Sequence, residues 1–320
     1  MPQDFIAAID IGGTKTAVAI ASTGGRIIAR DAFPTNPARH PDDALSETLD
    51  VLGNLTDKEQ VRLKAVGIGC AGPLDLERGV VETPPNLPLW RSFPLRSLVE
   101  SKLGIPVTLD NDANAAALGE HLYGAGRGLS DLVYLTISTG IGGGIIADHK
   151  LVHRWGEAGH VTVQPNGAPC RCGARGCMEA LCSGTAIARR AQEQLSAGRP
   201  SMLNELVLDA RQVTARTVEV AAQAGDQVAA EVWQDTVRLL AIGIGSIMAL
   251  LCPQAVILGG GVAAGAGEFL LQPLREELAA RVHILSMKRV QILKAGLGAD
   301  SSLYGALALA ARALQSNDHK

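Results

Sequence analysis

Short apolar runs broken by glycine-rich turns set the pattern of the chain's opening and predict strands there. Phe5 to Ile11 is apolar except for Asp10, and Gly12, Gly13, Thr14 and Lys15 separate it from a second apolar run, Ala17 to Ile20. That pattern predicts a two-strand hairpin with a glycine turn whose backbone N–H groups can approach an anion closely. Asp10 has no packing reason to sit at the end of a buried strand. A plain hairpin turn remains the bland reading of the same residues. A second copy strengthens the functional one. Ile6 to Ile20 aligns without a gap on Leu132 to Ile146, so that Asp10 falls opposite Thr136, and Gly13 and Thr14 fall opposite Thr139 and Gly140. An offset of about 126 residues predicts two related α/β halves, each with a phosphate-binding turn.

Between these turns the periodicity alternates. Pro41 to Leu55 reads as a helix with Asp42 and Asp43 in its first turn, and Val66 to Cys70 as a buried strand. Glu82 to Trp90 is a proline-rich loop containing Asn86; Leu95 to Leu103 is helical and stopped by Gly104; Val107 to Leu109 is the next strand. That strand runs into Asp110, Asn111, Asp112 and Asn114 and then a helix to about Tyr123. One Asn or Asp suffices for an N-cap, so a cluster of polar residues at a strand's carboxyl end marks a candidate ligand site. The helix dipole would favour the ionised form of Asp112, which suits a proton acceptor. In the second half, Thr185 to Leu195 reads as an amphipathic helix. Thr214 caps another, and Asp226 caps a long one reaching about Leu251. Pro253, a strand from Ala255 to Leu258 and a Gly259–Gly260–Gly261 turn follow. Val290 to Leu293 is a last strand, and Ser301 to Leu314 is an alanine-rich helix expected to pack back on the first half.

At 320 residues, with 47% hydrophobic and only 3% aromatic content and 36 glycines, the composition suits two tightly packed α/β domains. A net charge of −3 gives no footprint for a nucleic-acid partner. The N-terminus lacks the basic and apolar regions of a signal peptide, and the most apolar window, Leu239 to Cys252, is short for a bilayer. The expectation is a cytoplasmic protein without membrane contact.

The densest chemistry lies between Glu157 and Glu179, where His160, Cys170, Cys172 and Cys177 stand among Gly167, Pro169, Gly173 and Gly176. Three thiolates and one imidazole are the ligands of a closed tetrahedral structural zinc, which shapes a loop rather than doing chemistry. Free or disulfide-paired thiols are the alternative, although Cys170 and Cys172 are too close to bridge each other comfortably. Cys70, Cys182 and Cys252 read as small buried residues.

Together AIDIGGTK, LDNDANAAALGE, TISTGIGGG, EAGH, CRCGARGCME and ILGGGV resemble the ROK family of sugar kinases and repressors over nearly the whole chain. The resemblance implies the α/β, actin-like, ribonuclease H-like ATPase fold, two domains with a central cleft, divided here as 1–117 plus 300–320 and 118–299. It implies that Asp10 acts on the magnesium of MgATP. Gly12, Gly13, Thr14 and Lys15 and the turn with Ser138, Thr139, Gly140 and Gly142 would hold phosphates, and Gly259, Gly260 and Gly261 would lie by the adenosine. Asn86, Asn111, Asp112, Glu157, His160 and Glu179 match sugar-contacting positions. Asp112 would be the catalytic base for phosphorylation of a hexose 6-hydroxyl. Glucose is the first acceptor, with N-acetylmannosamine, N-acetylglucosamine and fructose as alternatives. The family implies a homodimer or homotetramer. Its repressors carry a helix-turn-helix ahead of this core. About four residues precede the first strand here, so the regulator reading is disfavoured.

Overall fold

The computed structural model describes residues 4–152, 157–283 and 289–317. They form two compact units, Met1–Gly128 with Asp300–Lys320, and Leu129–Ala299. The division expected after residue 117 falls within a helix that continues to Tyr123.

The first unit opens with β1 (Phe5–Ile11), β2 (Lys15–Ser22) and β3 (Ile27–Pro34), followed by α1 (Pro41–Glu59) and β4 (Leu63–Cys70). A small ribbon of β5 (Leu74–Asp75) and β6 (Val80–Val81) precedes α2 (Leu95–Leu103), β7 (Val107–Asn111) and α3 (Asp112–Tyr123). The sheet order is β3-β2-β1-β4-β7, with β1, β4 and β7 parallel and β2 and β3 antiparallel. Alternation along β1 sorts its residues between two faces. Ala7, Ile9 and Ile11 join a core with Leu45, Leu52 and Trp90, and Ile6 and Ala8 join a second one on the opposite face. β3 is an edge strand with no fully buried residue, which is why its hydrophobic pattern does not announce it.

The second unit repeats this topology. It runs β8 (Leu132–Ile137), β9 (Ile141–Ala147), β10 (Lys150–Leu151), α4 (Met178–Cys182), α5 (Gly184–Ser196), α6 (Leu203–Leu206) and α7 (Ala215–Gln223). Then come α8 (Gln227–Leu251), β11 (Ala255–Gly259), α9 (Gly260–Ala266), α10 (Glu268–Arg281) and β12 (Gln291–Lys294). The sheet order is β10-β9-β8-β11-β12, and β8, β11 and β12 are parallel. The helix starts follow the side chains that read as caps: Thr214 forms a capping box on α7, and Asp226 accepts from Ala229 N at the head of α8. By length and composition α8 could cross a bilayer, but half of that apolar window is buried in this unit, where Val232, Trp233 and Leu240 belong to the core. The chain leaves α8 through Cys252 in a left-handed conformation, φ 42°. That turn exposes Cys252 and corrects the expectation of a buried residue, whereas Cys70 and Cys182 are buried.

The last helix, α11 (Ser301–Asn317), belongs to the first unit, packing on α3, β4 and β1. The contact is backbone-close: side chains on Gly67, Gly119 or Gly305 would collide with the backbones of Ala306, Ser301 and Ala115.

Candidate functional site

In the first unit the residues singled out in the sequence gather at the carboxyl ends of the parallel strands, where α/β sheets present ligand sites. Asp10 pairs in register with Gly69 of β4, and Gly69 with Asp110 of β7. The turn after β1 is closed by Gly12 N donating to Lys15 O at 3.0 Å. A Cβ on Gly13 would lie 2.6 Å from Asn86 Cβ, so the exposed Asn86 sits directly on this turn. Leu87 and Trp90, both buried, anchor the loop that carries it, and Trp90 meets Phe93 edge to face at 5.2 Å.

Asp112 is the first residue of α3, and Asn111 is its N-cap, its side chain accepting from Ala113 N at 2.9 Å and Asn114 N at 3.4 Å. The cap thus engages the Asn111 oxygen, while its amide nitrogen would stand 3.1 Å from a Cβ on Gly72. Asp110 is buried and accepts from Asn114 Nδ2 at 2.8 Å, tying the strand end to the helix. The Asp10 carboxyl is raised to about 6, chiefly by burial and also by the Asp112 and Asp300 charges, against the lowering effects of a hydrogen bond from Ser302 and of Lys15. A carboxylate held among like charges is one that a divalent cation would relieve, so Asp10 fits the magnesium role. Ser302 Oγ donates to Asp10 Oδ1 at 2.7 Å, an interaction the sequence does not signal because paired serines opening a helix read as ordinary caps.

In the second unit, the turn between β8 and β9 is fixed from several sides. Ser138 N donates to Gly140 O, Gly184 N to Ser138 O, and Thr185 Oγ1 to Thr139 O, at 2.9, 2.7 and 2.8 Å. Glu179 Oε2 accepts from Ile141 N at 2.9 Å, and a Cβ on Gly140 would stand 2.5 Å from that oxygen. Gly142 pairs with Thr136 in the hairpin. Gly259 and Gly260 close against Tyr134 and Ile137 of β8, and Gly260 has φ +81°, so both are required by packing; Gly261 faces open space.

His160, Cys170, Cys172 and Cys177 converge, one ligand atom from each lying within 4.8 Å of the others. Cys172 Sγ stands 3.7 Å from Cys177 Sγ, and Cys170 Sγ 3.5 Å from His160 Nδ1. On one tetrahedral ion two thiolates would be roughly 3.8 Å apart and a thiolate and an imidazole nitrogen roughly 3.5 Å. The donor set therefore fits a single metal ion. Gly173 (φ 92°) and Gly176 (φ 71°) supply the left-handed turns that bring the thiols together. Burial pushes the thiols of Cys170 and Cys177 up, the latter to about 12, while the Ala174 N–H pulls exposed Cys172 down. The other imidazole nitrogen, Nε2, lies 3.8 Å from Glu157 Oε2 on the exposed side. Cys177 also stands immediately before α4, whose first turn carries Glu179. The Cys/His loop is thus linked in a few bonds to Glu157 and to the β8–β9 turn.

The ROK family description matches residues 6–313. A glucokinase of Thermotoga maritima is 34% identical over 313 residues, 97% of this chain and 98% of that protein. An N-acetylmannosamine kinase of Citrobacter koseri is 35% identical over 309 residues, 95% and 97% of the two chains. The crystal structure of a ROK family glucokinase from Streptomyces griseus in complex with glucose and AMPPNP superposes with a TM-score of 0.82 at 35% identity, covering 96% of this chain and 99% of that one. The mixed α/β architecture is the actin-like ATPase fold of these kinases, and the chain belongs to the ROK family.

Proposed function

We propose that the protein is an ATP-dependent hexokinase-type phosphotransferase acting on the 6-hydroxyl of a hexose, with glucose as its acceptor. The observation that carries this reading is the gathering of Asp112, Asp10 and the Gly12–Lys15 turn at the carboxyl ends of the first unit's parallel strands, with Asn86 seated on that turn. Asp112 accepts the proton of the 6-hydroxyl as the hydroxyl oxygen attacks the γ-phosphorus in line and the bond from that phosphorus to the β–γ bridging oxygen breaks, releasing ADP. Asn86 and the amide of Asn111 hold ring hydroxyls. The backbone of Gly12, Gly13 and Thr14 and the Lys15 ammonium receive phosphate charge, since positioning and electrostatics carry most of this reaction. Magnesium, when bound, neutralises the phosphates, and Asp10 is the residue that holds it.

From the second unit, the Ser138–Gly142 turn contributes further phosphate donors and Gly261 borders the adenosine. Glu157, Glu179 and His160 Nε2 contact the sugar. The Cys/His cluster would hold zinc, a metal suited to three thiolates and an imidazole. Ligation through Nδ1, the nitrogen facing Cys170 Sγ, would fix the His160 tautomer and leave Nε2 toward Glu157. Assembly into a homodimer or homotetramer and a cytoplasmic location complete the proposal.

N-acylhexosamine phosphorylation is the second reading, supported by the comparable identity of the N-acetylmannosamine kinase. Coupled ADP-release assays across glucose, fructose, N-acetylglucosamine and N-acetylmannosamine, with and without magnesium, decide between them. The highest kcat/KM is expected for glucose; a higher value for an N-acetylhexosamine would replace it.

A further inference from the structure

We propose that Ser302 is a positioning residue for the nucleotide-bound metal: its hydroxyl holds one oxygen of Asp10 so that the other faces the magnesium–phosphate group. The inference rests on the functional reading above and concerns a residue that reading does not use. Ser302 Oγ donates to Asp10 Oδ1 at 2.7 Å. The donor belongs to the last helix of the chain and the acceptor to its first strand, 292 residues apart.

Three features fix this hydroxyl in place. α11 meets β4 and α3 backbone to backbone at Gly67, Gly119 and Gly305, which leaves the helix no room to slide. The neighbouring Ser301 donates to Glu120 Oε1 at 2.7 Å, and both residues are buried. Gly69, the register partner of Asp10, keeps the space clear: a Cβ there would stand 2.8 Å from Ser302 Oγ and 3.7 Å from Asp10 Oδ1. A carboxylate bound at one oxygen cannot rotate freely, and the donated proton offsets part of the cost of keeping it charged beside Asp112. Second-sphere hydrogen bonds of this kind orient metal-binding carboxylates.

The test is calorimetric, so it does not depend on turnover. Binding of AMPPNP with magnesium, AMPPNP in EDTA, and glucose is measured for the parent, Ser302→Ala, Ser302→Thr and Ser301→Ala, with melting temperatures recorded for all four. The expectation for Ser302→Ala is a magnesium–AMPPNP affinity weaker by on the order of tenfold, typical for loss of a group that orients a metal ligand. Its affinity for AMPPNP in EDTA and for glucose stays at the parent value, and Ser302→Thr, which keeps the hydroxyl, restores binding. Ser301→Ala melts lower but binds magnesium–AMPPNP as the parent does, which separates orientation of Asp10 from packing of the helix. Unchanged magnesium–AMPPNP binding by Ser302→Ala overturns the inference, as does an equal loss in Ser301→Ala. Failure of the parent itself to bind magnesium–AMPPNP overturns the functional reading and the inference with it.

Discussion

The two glycine hairpins share a frame and differ in charge. Asp10 pairs with Gly69 in the first unit, and Thr136 pairs with Gly259 in the second, so the two sheets present the same positions along β1 and β8. Leu109 pairs with Ile68 as Lys294 pairs with Leu258. The residues that follow are Asp110, Asn111 and Asp112 in one unit and Ala295, Gly296 and Leu297 in the other. The turns differ as well. Four residues separate the paired Ile11 and Thr16, whereas three separate Ile137 and Ile141. The gapless sequence alignment therefore holds through the first strand of each hairpin and slips by one pair in the second. The same scaffold occurs twice, and acids stand at these strand ends in only one copy. The second copy offers neutral donors, with Glu179 locked to its turn by Ile141 N.

That asymmetry can be tested directly. Asp112→Ala is expected to lower kcat by roughly 10²- to 10⁴-fold, as for removal of a general base, with nucleotide binding retained in calorimetry. Leu297→Ala, three residues past Lys294 in β12, should not produce a loss of that kind; comparable losses would erase the distinction between the units. Removal of the metal by a chelator, or Cys172→Ala, is expected to weaken sugar binding by on the order of tenfold and to lower the melting temperature together with it. A lower melting temperature with unchanged sugar affinity would confine the metal to a structural role.

A smaller effect follows from Asp10. Its folded carboxyl titrates near 6 against an ordinary 3.8, so folding favours the protonated form. The cost of burying the charge is absent below the ordinary value, grows as pH rises through about 6 and is complete above it. Asp10→Asn is therefore expected to be more stable than the parent at pH 8, by on the order of 3 kcal/mol, and to lose most of that advantage near pH 4, while its activity falls. Equal melting at both pH values would refute the burial argument. The mildest change is Gly261→Ala, whose Cβ meets nothing within 4 Å. It should fold as well as the parent or better by about 0.5–1 kcal/mol, because alanine costs a helix less backbone entropy. A raised KM for ATP with unchanged KM for the sugar would place Gly261 beside the nucleotide; no change would remove it from the site.

Much of this was legible in the sequence because local rules decided it. Gly104 ends α2 in the left-handed conformation, so the expected span from Leu95 to Leu103 is the observed one. The Cys and His spacing predicted a cluster whose atoms do converge. What the sequence left unread depends on long-range contact. β3 and α10 lack patterns strong enough to announce them, and the α11 serines acquire meaning only when β1 returns beside them. Asn111 illustrates a mixed case: the residue that resembles a sugar ligand is also the helix cap, and its side-chain oxygen is engaged by Ala113 N and Asn114 N.

Transfer of the γ-phosphoryl group of ATP to a hexose 6-hydroxyl is the step on which the roles of Asp112, Asp10 and the glycine turns all depend. NMR identification of the product formed from glucose and ATP, with ADP followed in the same sample, tests it most directly. One equivalent of glucose 6-phosphate per ADP, both absent without magnesium, is predicted. ADP formed without a sugar phosphate, or phosphate on another hydroxyl, would contradict it.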